Sequence, residues 1–287
     1  MNPTIVTFLG SRGPYPGSNE LPSVLISHGG RNLLLDAGEG VQHRLLHVGK
    51  SVASVNPVLV THMHGDHVLG LIPLLQSRSL AGVATPLLII GPAGLGSYLT
   101  DSFNHLRFEP GYELTVLEVA EGVSCRADEV PAESIEEASS HEGRVRTVGV
   151  PCGVAIKEGP FRITPFWVRH SIPTLAFRLD VGESLSLCYV SDTLPSEDVE
   201  RFCSGVKVLI HDSTFSNELS DKAGEYMHST ALQASEVALR CGAETLILYH
   251  ASPRYKNLRG MEEEARKVFR NAYAAEKFMK LYLMPNR

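Results

Sequence analysis

Val58-Leu59-Val60-Thr61-His62-Met63-His64-Gly65-Asp66-His67 is the stretch from which the rest of this chain can be read. It sets three imidazoles and one carboxylate within six residues, directly after an apolar run of strand character. Neutral imidazole nitrogen and carboxylate oxygen are the donors that Zn²⁺ prefers, with Mn²⁺ or Fe²⁺ as substitutes. Spacing sets how many ions are implied. His62 and His64 alternate with Met63, so in extended backbone both side chains point the same way and can grip one ion. Gly65 lets the chain turn, and Asp66 and His67 beyond it can face a second ion a few ångströms away. A polar loop that happens to be rich in His is the competing reading, and four ligand residues at this spacing weigh against it.

Working outward, the chain as a whole sets bounds. Its 287 residues suffice for one large core or two modest domains, and 43% hydrophobic, 20% charged and 7% aromatic residues are ordinary for a globular protein. No apolar run approaches the length of a membrane span, and Met1-Asn2-Pro3-Thr4 carries no basic export signal. A cytoplasmic protein with no membrane partner is expected. Cys125, Cys152, Cys188, Cys203 and Cys241 are scattered, odd in number and form no Cys-x-x-Cys pair. They read as reduced thiols rather than a disulfide framework. A formal net charge of −6 offers no global positive field for a nucleic acid, and DNA is not expected as a partner. A polyanionic substrate would be held by the metals and by local basic clusters.

In chain order, Ile5-Val6-Thr7-Phe8-Leu9 reads as a strand before a Gly/Pro/Ser-rich loop, and Gly29-Gly30 marks a hairpin between two apolar runs. A helical segment opens after Gly40, an apolar helix is expected over 68–80, and Leu87-Leu88-Ile89-Ile90 is a buried-type strand. The stretch 128–142 is acidic and reads as a solvated insertion. Further strands are expected over 161–168, 185–190, 206–210 and 245–249. Thr230-Ala231-Leu232-Gln233 matches a capping box, and Gly242 closes the helix it opens. A last helix is expected over 260–278. One regularity organises this list. Asp36, the 62–67 loop, His170, Asp192 and His250 each follow an apolar strand directly, and strand ends collect along one edge of an α/β sheet. The other histidines read differently: His28, His105 and His141 as surface residues, His43 and His47 as packing on one helical face, and His211 as a satisfied buried residue. Phe166 and Trp167 read as core.

Four further stretches narrow the reading: Leu35-Asp36-Ala37-Gly38-Glu39-Gly40-Val41-Gln42, Leu209-Ile210-His211-Asp212-Ser213-Thr214-Phe215, His228-Ser229-Thr230-Ala231, and His250-Ala251-Ser252-Pro253-Arg254-Tyr255. With the 62–67 loop they resemble the metallo-β-lactamase fold superfamily over nearly the whole chain. Within it they resemble the ribonuclease Z family of tRNA 3′-processing endoribonucleases. The resemblance implies one α/β domain over 1–287, a four-layer αββα sandwich of two mixed β-sheets with outer helices. It implies two Zn²⁺ per subunit, one held by His62, His64 and His170 and the other by Asp66, His67 and His250, with Asp192 bridging. Asp36 resembles a carboxylate that orients a ligand imidazole. The two ions would give hydroxide near neutral pH for in-line attack on phosphorus, with Asp66 steering its proton. His228 is the candidate general acid for the leaving ribose oxygen. Arg254 suits a substrate phosphate, with Lys256 and Arg259 adding positive charge. The implied substrate is precursor tRNA, and the implied assembly is a homodimer.

Two features depart from the family pattern. Only 21 residues separate His170 from Asp192, enough for two strands and not for the basic arm that many relatives carry there. The loop Pro14-Tyr15-Pro16-Gly17-Ser18-Asn19 has no Lys or Arg, although Arg12 is near. A phosphodiesterase for small or cyclic diesters is therefore the alternative. A thioester or lactone hydrolase needs neither Arg254 nor His228. A non-catalytic RNA-binding or scaffold protein would have no use for the intact ligand set.

Overall fold

Val208–Asp212 is buried at every position, and Leu87–Pro92 at every position but Leu88. Strands without an exposed face must be covered on both sides, which calls for layers rather than a single open sheet. The computed structural model describes residues 3–17, 20–120, 139–182 and 185–284. Among these residues the chain builds two mixed sheets, of nine and seven strands. The first runs in space Lys280–Leu283, Thr4–Gly10, Ser23–His28, Arg31–Leu35, Val55–Leu59, Leu87–Pro92, Leu114–Val119, Val145–Val150, Ser139–Glu142. The second runs Ala272–Ala274, Thr245–Tyr249, Val208–Asp212, Leu185–Val190, Thr174–Val181, Phe161–Val168, Ile156–Glu158. Each sheet joins an antiparallel meander to a set of parallel strands.

Alternation along the strands assigns the layers. Leu33 and Leu35 face inward and join Phe8, Ile26, Phe177, Tyr189 and Ile247 in the core between the sheets. Leu34, between them, faces outward and packs with Val41, Leu45, Leu71, Leu75 and Phe103 of the outer helices. On the other side, Leu209, Leu246 and Leu248 pack against Val199, Val237, Ala238 and Met261. The order helix, sheet, sheet, helix is the αββα sandwich that was expected. The turn Gly29-Gly30 has φ of 55° and 81°, the left-handed pair a two-residue hairpin needs, and it pairs His28 with Arg31. Thr230 and Gln233 form the reciprocal cap before Ala231–Cys241, and Gly242 ends that helix at φ 68°.

Several expectations need correction. The helix read over 68–80 is two, Gly65–Val68 and Leu71–Leu80. The break has a cause: Gly70 N donates to Ala37 O at 2.8 Å, and a Cβ there would lie 2.2 Å from Gly38 O. The helix read over 260–278 is Arg259–Arg266 followed by the strand Ala272–Ala274, which extends the parallel edge beside Thr245–Tyr249. The strand read over 206–210 begins two residues later, as Val208–Asp212. Cys152 is disulfide-bonded, against the reduced state expected, while Cys188, Cys203 and Cys241 are free and buried. Of the acidic stretch, 128–138 lies outside the described residues and Ser139–Glu142 pairs with Val145–Val150. Between His170 and Asp192 the chain forms the strands Thr174–Val181 and Leu185–Val190. No helix among the described residues is long and apolar enough to cross a membrane.

Candidate metal centre

Six strand ends deliver the site. Asp36 follows Arg31–Leu35, the 61–67 loop follows Val55–Leu59, and His170 follows Phe161–Val168. Asp192 follows Leu185–Val190, Asp212 ends Val208–Asp212, and His250 follows Thr245–Tyr249. Asp36 and His250 leave their strands in the left-handed region, at φ 56° and 60°, as does Met227 before His228, at φ 56°. Non-glycine residues adopt that region at a cost, and here the sharp turn re-aims each side chain toward a common centre.

The geometry brings the seven residues named from the sequence into two groups that share Asp192. On one side its Oδ2 lies 3.5 Å from His62 Nε2 and 3.7 Å from His170 Nε2. His64 Nδ1 completes this group, 3.0 Å from His62 Nε2 and 3.4 Å from His170 Nε2. On the other side Asp192 Oδ1 lies 3.5 Å from both His67 Nε2 and His250 Nε2. Asp66 Oδ2 joins them at 3.5 Å from His67 and 3.2 Å from His250. Four donors around a tetrahedral zinc, each about 2.0–2.1 Å from it, stand roughly 3.3 Å apart. The observed spacings cluster around that edge.

Proton placement tests whether these donors fit a cation. The hydroxyl of Thr61 donates to Asp36 and so accepts from His62 Nδ1, 2.9 Å away. His67 Nδ1 donates to Asp36 Oδ2 at 2.8 Å, and His170 Nδ1 to Met227 O at 2.9 Å. Thr214 Oγ1 donates to Asp212 and accepts from His250 Nδ1 at 3.0 Å. Each of these four imidazoles therefore presents a bare Nε2 lone pair to the centre, and His67 and His250 do so 3.3 Å apart. Lone pairs and two carboxylates aimed at one another repel unless positive charge lies between them. The residues fit a metal.

Electrostatics agree. Burial lowers the pKa of His62 well below the ordinary histidine value, and His67 beside it lowers it further. Burial works the same way on His67, yet Asp192, Asp36 and Asp66 outweigh it and raise its pKa well above that value. Burial disfavours the charged forms of Asp66 and Asp192, but the surrounding imidazoles hold both below the usual carboxylate range. The pocket calls for a cation, as a proton on His67 or as a metal.

Beside the centre, His228 Nδ1 donates to Asp212 Oδ2 at 2.8 Å, and its ring stacks on His250 with centroids 5.4 Å apart. Burial pulls the His228 pKa down, but Asp212 overrides it and raises it to about 9. Asp36 is fully buried and accepts from Thr61 N, Thr61 Oγ1, His67 Nδ1 and Tyr189 OH. Arg254 is exposed, with its guanidinium 5.0 Å from the Phe215 ring centroid and Nε donating to Ser252 Oγ. It makes no ion pair among the described residues. Arg259 is paired with Glu263 at 2.9 Å, away from this role.

Sequence reasoning passed over Asp212, Thr61, Thr214 and Tyr189. Asp212 carried a usable signal, since it ends an apolar strand as Asp36 and Asp192 follow theirs; the other three carried none. His211 is buried and donates from Nδ1 to Asp212 O, but its Nε2 has no partner, so it is only half satisfied. His47 stacks on Phe278 at 4.2 Å, in line with the packing expected of it, whereas His43 is exposed, against that expectation. Phe166 stacks on Phe202 at 4.5 Å, and Trp167 packs against the inter-sheet core.

Comparison with known proteins agrees with the geometry. The family model described as beta-lactamase superfamily domain matches residues 31–251. Ribonuclease Z of Ignicoccus hospitalis is 34% identical over 300 residues, covering 98% of this chain and 98% of that protein. Ribonuclease Z of Sulfolobus acidocaldarius is 33% identical over 289 residues, covering 94% and 96%. Among solved structures, the short form of human tRNase Z superposes with a TM-score of 0.78 at 26% identity, covering 98% of this chain and 99% of that one. Matched along nearly its whole length in sequence and in backbone, the chain belongs to the beta-lactamase superfamily and, within it, to the ribonuclease Z family.

Proposed function

We propose that this chain, acting as one domain in the cytoplasm, is a metal-dependent endoribonuclease that removes 3′ trailers from precursor tRNA with two Zn²⁺ per subunit. The observation that carries this reading is the pair of donor groups sharing Asp192, with the Asp212–His228 pair beside them. His62, His64 and His170 would hold one ion, and Asp66, His67 and His250 the other. When bound, two such ions supply Lewis-acid charge to the phosphodiester oxygens and acidify a water nucleophile. Asp66 would steer the proton of that nucleophile. Asp212 fixes the imidazole of His228 through Nδ1, which leaves Nε2–H free to protonate the leaving ribose oxygen. Asp36 keeps the lone pair of His67 on the centre. Arg254, with its guanidinium over the Phe215 ring, retains donors for a substrate phosphate.

Zinc-loaded protein should be offered a labelled precursor tRNA with a 3′ trailer and, separately, a small chromogenic phosphodiester. His64→Ala protein serves as the contaminant control. A single cut at the base of the acceptor stem is expected; hydrolysis of the small diester alone would overturn the tRNA assignment and keep the chemistry. The same preparation should scatter light as a homodimer, at twice the 31.3 kDa of one chain.

A further inference from the structure

Arg12 is a buried cation without an acceptor. It lies in the loop after Thr4–Gly10, where an isolated bridge ties it to Ala251, the neighbour of His250. The side chain is 4% exposed, and its Nη1 is buried with no hydrogen-bond partner. Its other guanidinium nitrogens have no partner among the described residues either. Glu276 acts on it through charge alone. The contrast with the other buried arginines is instructive. Arg44 donates to the carbonyls of Gly38 and Glu39, and Arg78 to those of Val52, Ala53 and Thr85. Those two hold the fold together. Burying a guanidinium N–H with nothing to receive it is costly, and the cost is removed when an anion arrives.

Space for an anion is present. Arg12, Gly17, Pro253, Tyr255 and Lys256 line a cavity of about 110 Å³. That is roughly the room of three or four waters, enough for one phosphoryl group. Lys256 is exposed and unpaired among the described residues, so it can close a second charge onto the same group. Tyr255 is held by Ser216, whose N–H donates to its hydroxyl at 3.0 Å, and it forms a rigid wall. The cavity adjoins the metal centre. Gly13, the next residue after Arg12, approaches so closely that a Cβ there would stand 1.8 Å from His250 Nε2.

We propose that the Arg12–Lys256 cavity is a phosphate subsite for the diester next to the one being cut, so that the enzyme engages two consecutive phosphates of a chain. This rests on the phosphodiesterase reading above. The test uses the holoenzyme and two chromogenic diesters, thymidine 5′-(p-nitrophenyl phosphate) with a free 3′-hydroxyl or with a 3′-phosphate. Wild-type protein should favour the 3′-phosphorylated ester by about tenfold or more in kcat/KM, mainly through KM, the scale of a charge-assisted hydrogen bond. Arg12→Gln should erase that preference while leaving the unphosphorylated ester within about twofold, Arg12→Lys should keep part of it, and Lys256→Ala should weaken it. A wild-type enzyme without the preference, an Arg12→Gln enzyme that retains it, or equal losses on both esters would overturn the subsite. If wild-type protein hydrolyses neither ester, the phosphodiesterase reading fails by itself. The subsite is then judged by calorimetry with thymidine 3′,5′-bisphosphate against thymidine 5′-phosphate. Arg12→Gln must weaken the bisphosphate alone, and any other result overturns the proposal.

Discussion

The strands Phe161–Val168 and Thr174–Val181 run from one edge of the sandwich to the other, and their two ends treat charge in opposite ways. At one end they lead into His170 and the metal centre, where Asp36, His62, His67, Asp192, Asp212 and His250 are all buried. At the other end they open onto a cleft of about 1110 Å³ lined by Lys157, Arg162, Arg178 and Asp180. That cleft is far larger than the cavity beside Arg12, yet it converges on nothing. Arg178 spends its donors on Phe202 O, Ser204 O and Asp180, and Lys157 and Arg162 point into solvent. Volume therefore misleads in this molecule. The edge that carries the candidate site is marked by donors whose other hydrogen bonds are already made.

The largest expected break of that contrast is Asp192→Ala. It removes the carboxylate shared by both donor groups, and loss of metal together with phosphodiesterase activity down to background is expected. Plasma mass spectrometry of the purified variant checks the first part, and full metal occupancy would refute the bridging role. Next in size is His228→Ala, which should slow turnover by about 10²–10⁴-fold with metal content unchanged. A general acid works while protonated, so activity should fall as pH rises through the pKa of His228. That alkaline limb should lie no higher than about 9, because bound divalent cations push it down. Asp212→Asn removes the group that raises the pKa and should move the limb to lower pH; an unmoved limb in a pH–rate profile would count against the pair.

Asp36→Asn sharpens the comparison at one remove. Asp36 touches no substrate, but it fixes the tautomer of His67, and outer carboxylates of this kind are worth about 10–100-fold in metal affinity. Competition with a chromophoric chelator measures the change, and unchanged affinity would mean that Thr61, 3.4 Å from His67 Nδ1, positions the imidazole without it. The smallest effect is expected from Arg162→Ala at the far cleft, within about twofold on any substrate, as for an exposed charge. A loss above tenfold on precursor tRNA, with the small diester untouched, would make the far edge an RNA contact and dissolve the contrast.

Much of the site was legible because its signals are local. The spacing of His62, His64, Asp66 and His67 follows from backbone periodicity, and the placement of Asp36, His170, Asp192 and His250 after apolar runs follows from where strands end. The capping box at Thr230 and the hairpin at Gly29-Gly30 are likewise short-range. The failures were long-range. Nothing near Gly70 announces that Ala37 and Gly38 press on it, and nothing near Ala272 announces that Thr245–Tyr249 has an open edge to receive it. The disulfide at Cys152 belongs to the same class.

By itself the sequence determined the donor set, the alternation that splits apolar residues between inner and outer layers, and the family to which those patterns belong. Tertiary structure decided which donors meet and in which protonation state. Thr61 locks Asp36 from 25 positions away, Tyr189 from 153, and His250 reaches Asp66 across 184. It also decided that Arg44 and Arg78 spend their donors on carbonyls while Arg12 keeps its own free. The physical reason is that residue type and spacing fix local conformation. Burial, hydrogen-bond partners and the sign of a pKa shift depend on strand register and crossovers between segments far apart in the chain.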